Sequence, residues 1–422
     1  MPPRNAARSL RQPPARLGWI HSTRLHVVLY SLLLIATPFL MLRRFLQSAI
    51  GRTSNLSFSL AGLQVPAVPV VAVVVLILLL IALRRHITRM RIVAGVVVVL
   101  MIALAQQVTD YYFSHNFYDL QQNWHYIAYA LFAFMMHRDL APRGVRLSRI
   151  MLVTYCAALL FSTLDEAFQL HVSLRVFDVS DIAKDLWGAL AGMTFLYLGG
   201  TRAGTLLSDW RPLRQPRLRD YLSRPASLHV LMTVFAFLLL FFSSLLSDFC
   251  HWKLNILFPL ATFAVFLLCF HLSQRRWAAY TLLTLLAVAV GGQAWAFVKY
   301  RHENIVYNRY GLTIYKGIPI VFFDVLIFPD STFRLVDRKH QFNVRDQAFL
   351  LRLRTDIILI GSGADGQGGR GFYRHSVNQF VWNPNTRRGT QIIILKTPEA
   401  CQVFNRLKRQ GKNVLFILHN TC

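Results

Sequence analysis

The stretch Val65–Leu83, VPAVPVVAVVVLILLLIAL, decides the fold class of this 422-residue chain. It runs for 19 residues without a charged side chain and is followed at once by Arg84 and Arg85. A helix that crosses a bilayer needs about 20 mostly apolar residues, whereas the core helices of soluble proteins are usually interrupted sooner. The sequence therefore predicts a membrane-spanning helix at this position.

Similar apolar runs recur over the first 300 residues, and the composition agrees with them. Hydrophobic residues make up 55% of the chain and charged residues only 15%, against about 25% charged in a typical soluble protein. We predict a polytopic α-helical membrane protein of about nine spans. Seven spans are clear: Leu25–Leu42, Val65–Leu83, Ile92–Phe113, Ile150–Phe168, Leu228–Leu246, Leu254–His271 and Trp277–Val298. Two more, Trp124–His137 and Leu186–Gly200, are short, and we expect both to begin earlier, in polar sequence.

The net charge of +27 is distributed as a topology signal and does not indicate nucleic-acid binding. Of the 46 Lys and Arg residues, 27 lie in the membrane part, where they occupy short loops between apolar runs. With the N-terminus inside, the inner segments carry 21 of these residues and the outer segments carry 6. Cytoplasmic loops are enriched in Lys and Arg, so we expect a cytoplasmic N-terminus. Nine spans then put the C-terminal domain outside, and one miscounted span would reverse that side.

Acidic residues collect on the predicted outer side, at the ends of spans. Ionised groups are costly there unless they are paired or hydrated. Asp165 and Glu166 stand four and three residues before Gln169, so either carboxylate can neighbour that amide. His125 and Tyr129 form another pair with helical spacing. The predicted polar pocket consists of His125, Tyr129, Asp165, Glu166, Gln169, Arg175, Asp178, Asp181 and Asp185.

A glycine stripe accompanies two of these carboxylates. Asp181, Asp185, Gly188 and Gly192 share one helix face, and the two glycines are expected to permit close helix–helix approach. An alternative is that Arg175 and Lys184 only neutralise the neighbouring carboxylates. A metal site built from His125, His171 and the aspartates is a further alternative, but it lacks recognised ligand spacing, so we predict no metal and no cofactor.

The same region resembles the VanZ-like family over about residues 95–200. The resemblance rests on Trp124-His125-Tyr126-Ile127-Ala128-Tyr129, Asp165-Glu166-Ala167-Phe168-Gln169, Arg175 and Asp181-Ile182-Ala183-Lys184-Asp185-Leu186-Trp187-Gly188. Two positions depart from the family pattern, because a Lys is replaced by Gln122 and an Asn by Asp185. The resemblance implies a bacterial envelope protein from a family whose namesake is linked to teicoplanin resistance and has no settled biochemical activity.

After Val298 the apolar runs shorten and short strands alternate with helices, which predicts a soluble α/β domain. We expect strands at Asn304–Ile314, Ile318–Phe328, Thr355–Ile360, Thr390–Leu395 and Asn413–Leu418, and a helix at Val344–Arg354. A second helix should start at Thr397 as N-cap with Pro398 following, and should end at Gly411. The run Gly361-Ser362-Gly363-Ala364-Asp365-Gly366 fits a dinucleotide motif, but no helical pattern opens at these glycines and no acid follows at the required distance, so we predict a turn.

This domain resembles the adipogenesis-associated Mth domain family over about residues 303–420. The residues that carry the resemblance are Thr355-Asp356-Ile357-Ile358-Leu359-Ile360-Gly361-Ser362-Gly363 and Thr397-Pro398-Glu399-Ala400-Cys401, with Phe404-Asn405-Arg406-Leu407 and Gly411-Lys412-Asn413-Val414. The resemblance implies a compact α/β fold with an interaction or assembly role. Members of that family are usually intracellular, which favours the opposite side from the span count. Cys401 and Cys422 could pair only in an oxidising compartment.

Together these observations predict five regions: a basic tail at 1–24, two spans at 25–91, a four-span VanZ-like region at 92–200, three spans at 201–298 and the α/β domain at 299–422. The predicted function is binding or scaffolding of a lipid-linked or cell-wall-related ligand, with the C-terminal domain recruiting a partner protein. One alternative is an enzyme acting on a lipid-linked phosphate, with Glu166 or Asp165 as base, Arg175 on the phosphate and His125 as proton shuttle. A second alternative is a proton-coupled transporter, which the absence of an internal repeat disfavours.

Overall fold

The computed structural model describes the chain from Arg52 onward, with gaps. The described residues are 52–53, 56–60, 63–82, 84–109, 120–169, 177–200, 217–246, 252–336, 342, 344–353, 355–369, 378–383 and 387–421. They divide into two compact units. The first unit contains the described residues among 1–98, 124–172 and 188–232, and the second contains those among 99–123, 173–187 and 233–422.

Helices make up most of the described part of the chain before Arg301. They are α1 (Ala67–Ala82), α2 (Arg89–Thr109), α3 (Leu120–Leu140), α4 (Leu147–Gln169), α5 (Val179–Gly199), the single-turn α6 (Asp220–Ser223), α7 (Pro225–Leu245), α8 (Trp252–Leu272) and α9 (Arg276–Tyr300). Five helices in the described residues are long and apolar enough to cross a membrane: α2, α4, α7, α8 and α9. The chain therefore has the apolar helices of a membrane protein.

Nine spans are not confirmed, and the differences have local causes. The predicted span Leu25–Leu42 lies outside the described residues. Within Val65–Leu83, Val65 and Pro66 belong to a hairpin of β1 (Ser57–Leu60) and β2 (Leu63–Pro66). The hairpin leaves only 16 residues for α1, fewer than a typical span requires.

The two short predicted spans are both helices of 21 residues. Each begins in polar sequence, as expected, since α3 starts at Leu120 and α5 at Val179. Neither reaches the apolar level of the other five, because the polar first turns lower the mean hydropathy. Of the predicted site residues, Asp181 lies in the polar first turn of α5.

The C-terminal domain contains two β-sheets. Antiparallel β3 (Ile305–Arg309), β4 (Leu312–Tyr315) and β5 (Ile318–Val321) form the small sheet. The large sheet has the order β7-β6-β11-β8-β10-β9. Its strands are β6 (Asp324–Ile327), β7 (Phe333–Val336), β8 (Ile357–Gly361), β9 (Asn378–Asn383), β10 (Arg388–Leu395) and β11 (Val414–Leu418).

A helix packs on each face of the large sheet, which gives the domain two cores. On one face, Ala400 and Phe404 of α11 (Thr397–Arg409) pack with β8 and β11 side chains, and the Phe404 and Phe416 rings stack at 4.8 Å. On the other, Leu350 of α10 (Val344–Arg352) packs with alternate residues of the same strands. Strands buried on both faces read as continuous apolar runs, which explains the five buried residues of β8 and of β11. The C-terminal α/β sheet domain is confirmed.

Three details of this domain differ from the sequence-based predictions. The predicted strand Asn304–Ile314 is a hairpin that turns at Gly311, and Ile318–Phe328 is divided at Phe322. Thr397 is the first residue of α11 and Lys396 is its N-cap. The Thr397 hydroxyl instead donates to the His419 carbonyl at 2.7 Å and accepts from the Gly363 N–H at 2.8 Å, so it joins three strand ends.

The glycine-rich segment after β8 is a loop, and no helix opens at its glycines. Cys401 lies buried in α11, and burial raises the pKa of its thiol to about 12. Cys422 lies outside the described residues, so the pairing of these two cysteines stays an open prediction.

Candidate functional site

A buried ammonium group is the centre of the polar residues in the second unit. The side chain of Lys184 is only 2% exposed, and its Nζ lies 2.7 Å from Oδ1 of Asp181, one helical turn earlier in α5. The same Nζ donates a hydrogen bond to Oε1 of Gln122 in the first turn of α3. An ammonium group in an apolar bundle is stable only with such partners, because its desolvation is expensive. We call Gln122, Asp181 and Lys184 the lysine cluster.

Asp178 stands immediately before α5 and caps it. Its Oδ1 accepts a hydrogen bond from the Ser180 N–H at 2.8 Å, as the side chain of an N-cap residue does. Desolvation of this carboxylate, together with the nearby charge of Asp181, raises the pKa of Asp178 above its usual range, although Lys184 acts in the opposite direction. The start of α5 therefore carries two carboxylates, those of Asp178 and Asp181, beside one cation.

Further hydrogen bonds hold the starts of α3 and α5 against α2. The Trp187 indole N–H donates to the Met101 carbonyl at 2.9 Å, and Gln106 Nε2 donates to Asn123 Oδ1 at 2.7 Å. Asp185 lies between Lys184 and Trp187 along α5 and is 2% exposed. These contacts fix the helices that carry the lysine cluster.

In the first unit, the end of α4 carries a second buried carboxylate. Glu166 is 1% exposed, and its Oε1 accepts a hydrogen bond from Gln169 Nε2 at 2.6 Å. Of the two carboxylates predicted to neighbour Gln169, the structure shows this bond for Glu166. Asp165 and His125 are half-buried, and Tyr129 is 3% exposed with its ring 5.9 Å from that of Phe132.

The two glycines of the stripe lie against the backbone of α3. A Cβ at Gly188 would stand 2.7 Å from the Tyr126 carbonyl oxygen, and one at Gly192 would stand 2.6 Å from that of Ala130. Both distances are shorter than real Cβ contacts, so any larger residue would force α3 and α5 apart. Both contacts pair residues 62 positions apart, which means that α3 and α5 run in the same direction.

One residue of the predicted polar pocket is not described by the structure, and one residue that was not predicted, Gln122, joins the site. Arg175 lies outside the described residues. The sequence did not single out Gln122 as a partner of Lys184, and no local spacing could have revealed a contact across 62 residues. The alternative in which Lys184 neutralises a carboxylate is realised at Asp181, whose i,i+3 spacing was visible in the sequence.

A further buried polar group lies elsewhere in the first unit. Thr194 Oγ1 stands 2.9 Å from Nε2 of His229, and Nδ1 of His137 stands 3.2 Å from the Tyr197 hydroxyl. His229 stands alone in an apolar run and His137 stands at the end of one, so the local sequence gives no sign of either contact. Among the described residues, no group of three or more His, Cys, Asp or Glu side chains is arranged to hold a metal ion.

No family model and no curated protein matches the chain. One solved structure, titled "MT938", is similar over 28% of this chain and 98% of its own length, with 22% sequence identity and a TM-score of 0.22.

Proposed function

We propose that this chain is a cell-envelope membrane protein of the VanZ-like type that binds a lipid-linked or cell-wall-related ligand through its outer polar residues. The observation that carries the proposal is the lysine cluster. It places a cation and a carboxylate in the start of α5, against an amide in the start of α3, in helices that otherwise pack as membrane helices do. Ionisable groups inside membrane proteins are uncommon and usually mark binding or transport sites.

The cluster also offers suitable chemistry for such a ligand. Lys184 supplies the ammonium group that position 122 lacks relative to the family pattern, since its Nζ lies against the Gln122 side chain. A compact ammonium group binds a phosphate or carboxylate as a point charge. Asp181 is 17% exposed and remains reachable beside it, so a ligand that carries both an anionic group and an amine or hydroxyl would match the pair.

A purely structural ion pair is the competing explanation. Replacement of buried ion pairs by apolar residues is often neutral or stabilising, so a pair with only a structural role has little to maintain it. The side chain of Asp181 is 17% exposed although its partner is enclosed, and this access favours a binding role over simple neutralisation.

Helix directions support one orientation for the site and the C-terminal domain. Trp187 contacts Met101 of α2, and Gly199 lies against Ala94 of the same helix, so α2 runs antiparallel to α5. Trp187 also contacts Phe237 of α7, and Thr194 contacts His229, so α7 runs antiparallel to α5 as well, and both helices end where α5 starts. The end of α7 in turn contacts Phe323 of the C-terminal domain. We therefore propose that the lysine cluster and the domain share the outer side, with the N-terminus cytoplasmic, and that the basic domain, at net +11, recruits an acidic partner protein.

Native mass spectrometry of the full chain in nanodiscs tests the binding proposal, with a long-chain polyprenyl phosphate as the probe. We expect a bound adduct that is weakened at least tenfold by Lys184→Gln, whereas Asp181→Asn should not weaken it, because that carboxylate repels the phosphate. Asp139→Asn is the matched control, because Asp139 is also buried and paired, with Arg143 one turn later. Equal binding by all four proteins, or no binding by the unsubstituted chain, would refute this ligand class.

A further inference from the structure

The small sheet of the C-terminal domain is held at both ends by membrane helices. At one end, the turn between β4 and β5 lies against α9. Gln293 Nε2 donates to the Gly317 carbonyl at 2.9 Å, and a Cβ at Gly317 would overlap the Ala296 carbonyl. Gly317 has φ +79°, so two separate constraints require glycine at this contact.

At the other end, the segment between β5 and β6 contacts α7 and α8 through aromatic rings. The Phe323 ring lies 5.8 Å from Phe241 and 6.3 Å from Phe242, and the Phe322 ring lies 6.0 Å from Phe258. Phe322 adopts φ +61°, an unusual conformation for a bulky residue. Tertiary contacts of this kind are what maintain such a conformation.

These contacts set the depth of the small sheet. Gln293 and Ala296 lie seven and four residues before the end of α9 at Tyr300, and Phe241 lies four before the end of α7 at Leu245. At 1.5 Å per residue, the contacts are about 5–10 Å inside the helix ends. In helices that span the bilayer, this is the boundary between the lipid headgroups and the hydrocarbon.

One face of the small sheet is apolar and exposed at this depth. Thr313, Tyr315 and Ile320 are buried on the side toward the domain core. On the opposite face, Tyr307 is 43% exposed and Val321 is 47% exposed. The strand register completes that face with Arg309, Leu312, Ile314 and Pro319.

We propose that this face of the small sheet, formed by Tyr307, Arg309, Leu312, Ile314, Pro319 and Val321, lies in the headgroup layer of the surrounding bilayer and binds anionic phospholipid. Gly317 and Phe322, which contact α9 and α8, flank the two ends of β5. Pro319 and Val321 of the face lie between them along that strand, so the medium beside the face is lipid. A tyrosine and an arginine on an aliphatic surface are the residues that membrane interfaces favour. Lys299 adds a cation at the end of α9, where its Nζ lies 4.9 Å from the ring centres of both Trp295 and Tyr300.

The consequence is that the domain is fixed on the membrane and is not suspended from a flexible linker. Only four residues, Arg301 to Asn304, separate α9 from β3. The face is proposed for lipid and not for a protein partner, because a protein could reach it only by displacing the lipids that surround three spans.

Photo-crosslinking tests this proposal on the full chain in nanodiscs that contain phosphatidylglycerol. A photoreactive phenylalanine analogue is introduced at Tyr307 or Val321, and at Phe380 as the control. Phe380 is 74% exposed on β9 of the large sheet, so it is more accessible than either test site and differs from them in predicted environment. We expect phospholipid adducts at 307 and 321 at least fivefold above those at 380, enriched in phosphatidylglycerol over phosphatidylcholine when both are present. Adducts to a second copy of the chain, absence of lipid adducts at 307 and 321, or equal lipid adducts at 380 would each overturn it.

Discussion

At the scale of single residues, Lys184 connects the site to the stability of the fold. Its ammonium group is almost completely enclosed, and it bonds to a carboxylate on its own helix and to an amide oxygen on α3. Removal of one partner of a buried ion pair lowers the stability of the fold more than removal of both partners, because a single removal leaves an unneutralised buried charge.

Substitutions at this pair should therefore be non-additive. Lys184→Met should lower the free energy of unfolding by about 3–5 kcal/mol, since Asp181 loses its partner. The double variant Lys184→Met with Asp181→Leu should recover most of that loss, because neither charge of the pair remains. Thermal unfolding of the purified protein in detergent measures both. Equal destabilisation by the single and double variants would show that the pair contributes nothing as a unit.

Residue-scale contacts were predictable only where they are local in sequence. The bond between Glu166 and Gln169 and the pair Asp181–Lys184 follow from helical spacing, which needs no knowledge of the fold. The contact of Lys184 with Gln122 joins two helices, and its formation depends on how those helices pack. Thr397 is a case in which the local pattern was misleading. The pattern indicates an N-cap, but the hydroxyl group bonds to the Gly363 N–H and the His419 carbonyl, at strand ends from other parts of the chain.

At the scale of secondary-structure elements, the packing of α5 on α3 positions the lysine cluster. Gly188 and Gly192 bring the two helices close enough for Lys184 to reach α3, since both glycines meet backbone atoms of that helix. Small residues at helix interfaces are a common means of close approach in membranes. The polar first turns of α3 and α5 explain why their apolar segments looked short in the sequence.

Gly188→Ala should destabilise the protein by about 1–3 kcal/mol, because its new Cβ would overlap the Tyr126 backbone. Gly291→Ala in α9 is the matched control, since no atom lies within 4 Å of that Cβ position. We expect the control to unfold at or slightly above the temperature of the unsubstituted protein, because alanine favours the helix. Loss of stability in the control, or none in Gly188→Ala, would contradict the packing.

At the scale of the whole molecule, the apolar helices and the C-terminal sheet domain could be predicted because each depends on long, regular sequence patterns. The hairpin of β1 and β2 could not, since its strands are only four residues long and lie beside an apolar run that has the pattern of a span. The order of the large sheet was likewise hidden, because it depends on pairings between distant strands. The number of spans and the side of the domain remain predictions.

We propose above all that the lysine cluster and the C-terminal domain lie at the same, outer end of the bundle. A pair of reporter fusions at the C-terminus of the full chain, expressed in bacterial cells, tests it most directly. Alkaline phosphatase becomes active only outside the cytoplasm, whereas green fluorescent protein exported in unfolded form does not fluoresce there. We expect an active phosphatase fusion and a dark fluorescent-protein fusion. A bright fluorescent-protein fusion with inactive phosphatase would contradict it and would put both the domain and the lysine cluster on the cytoplasmic side.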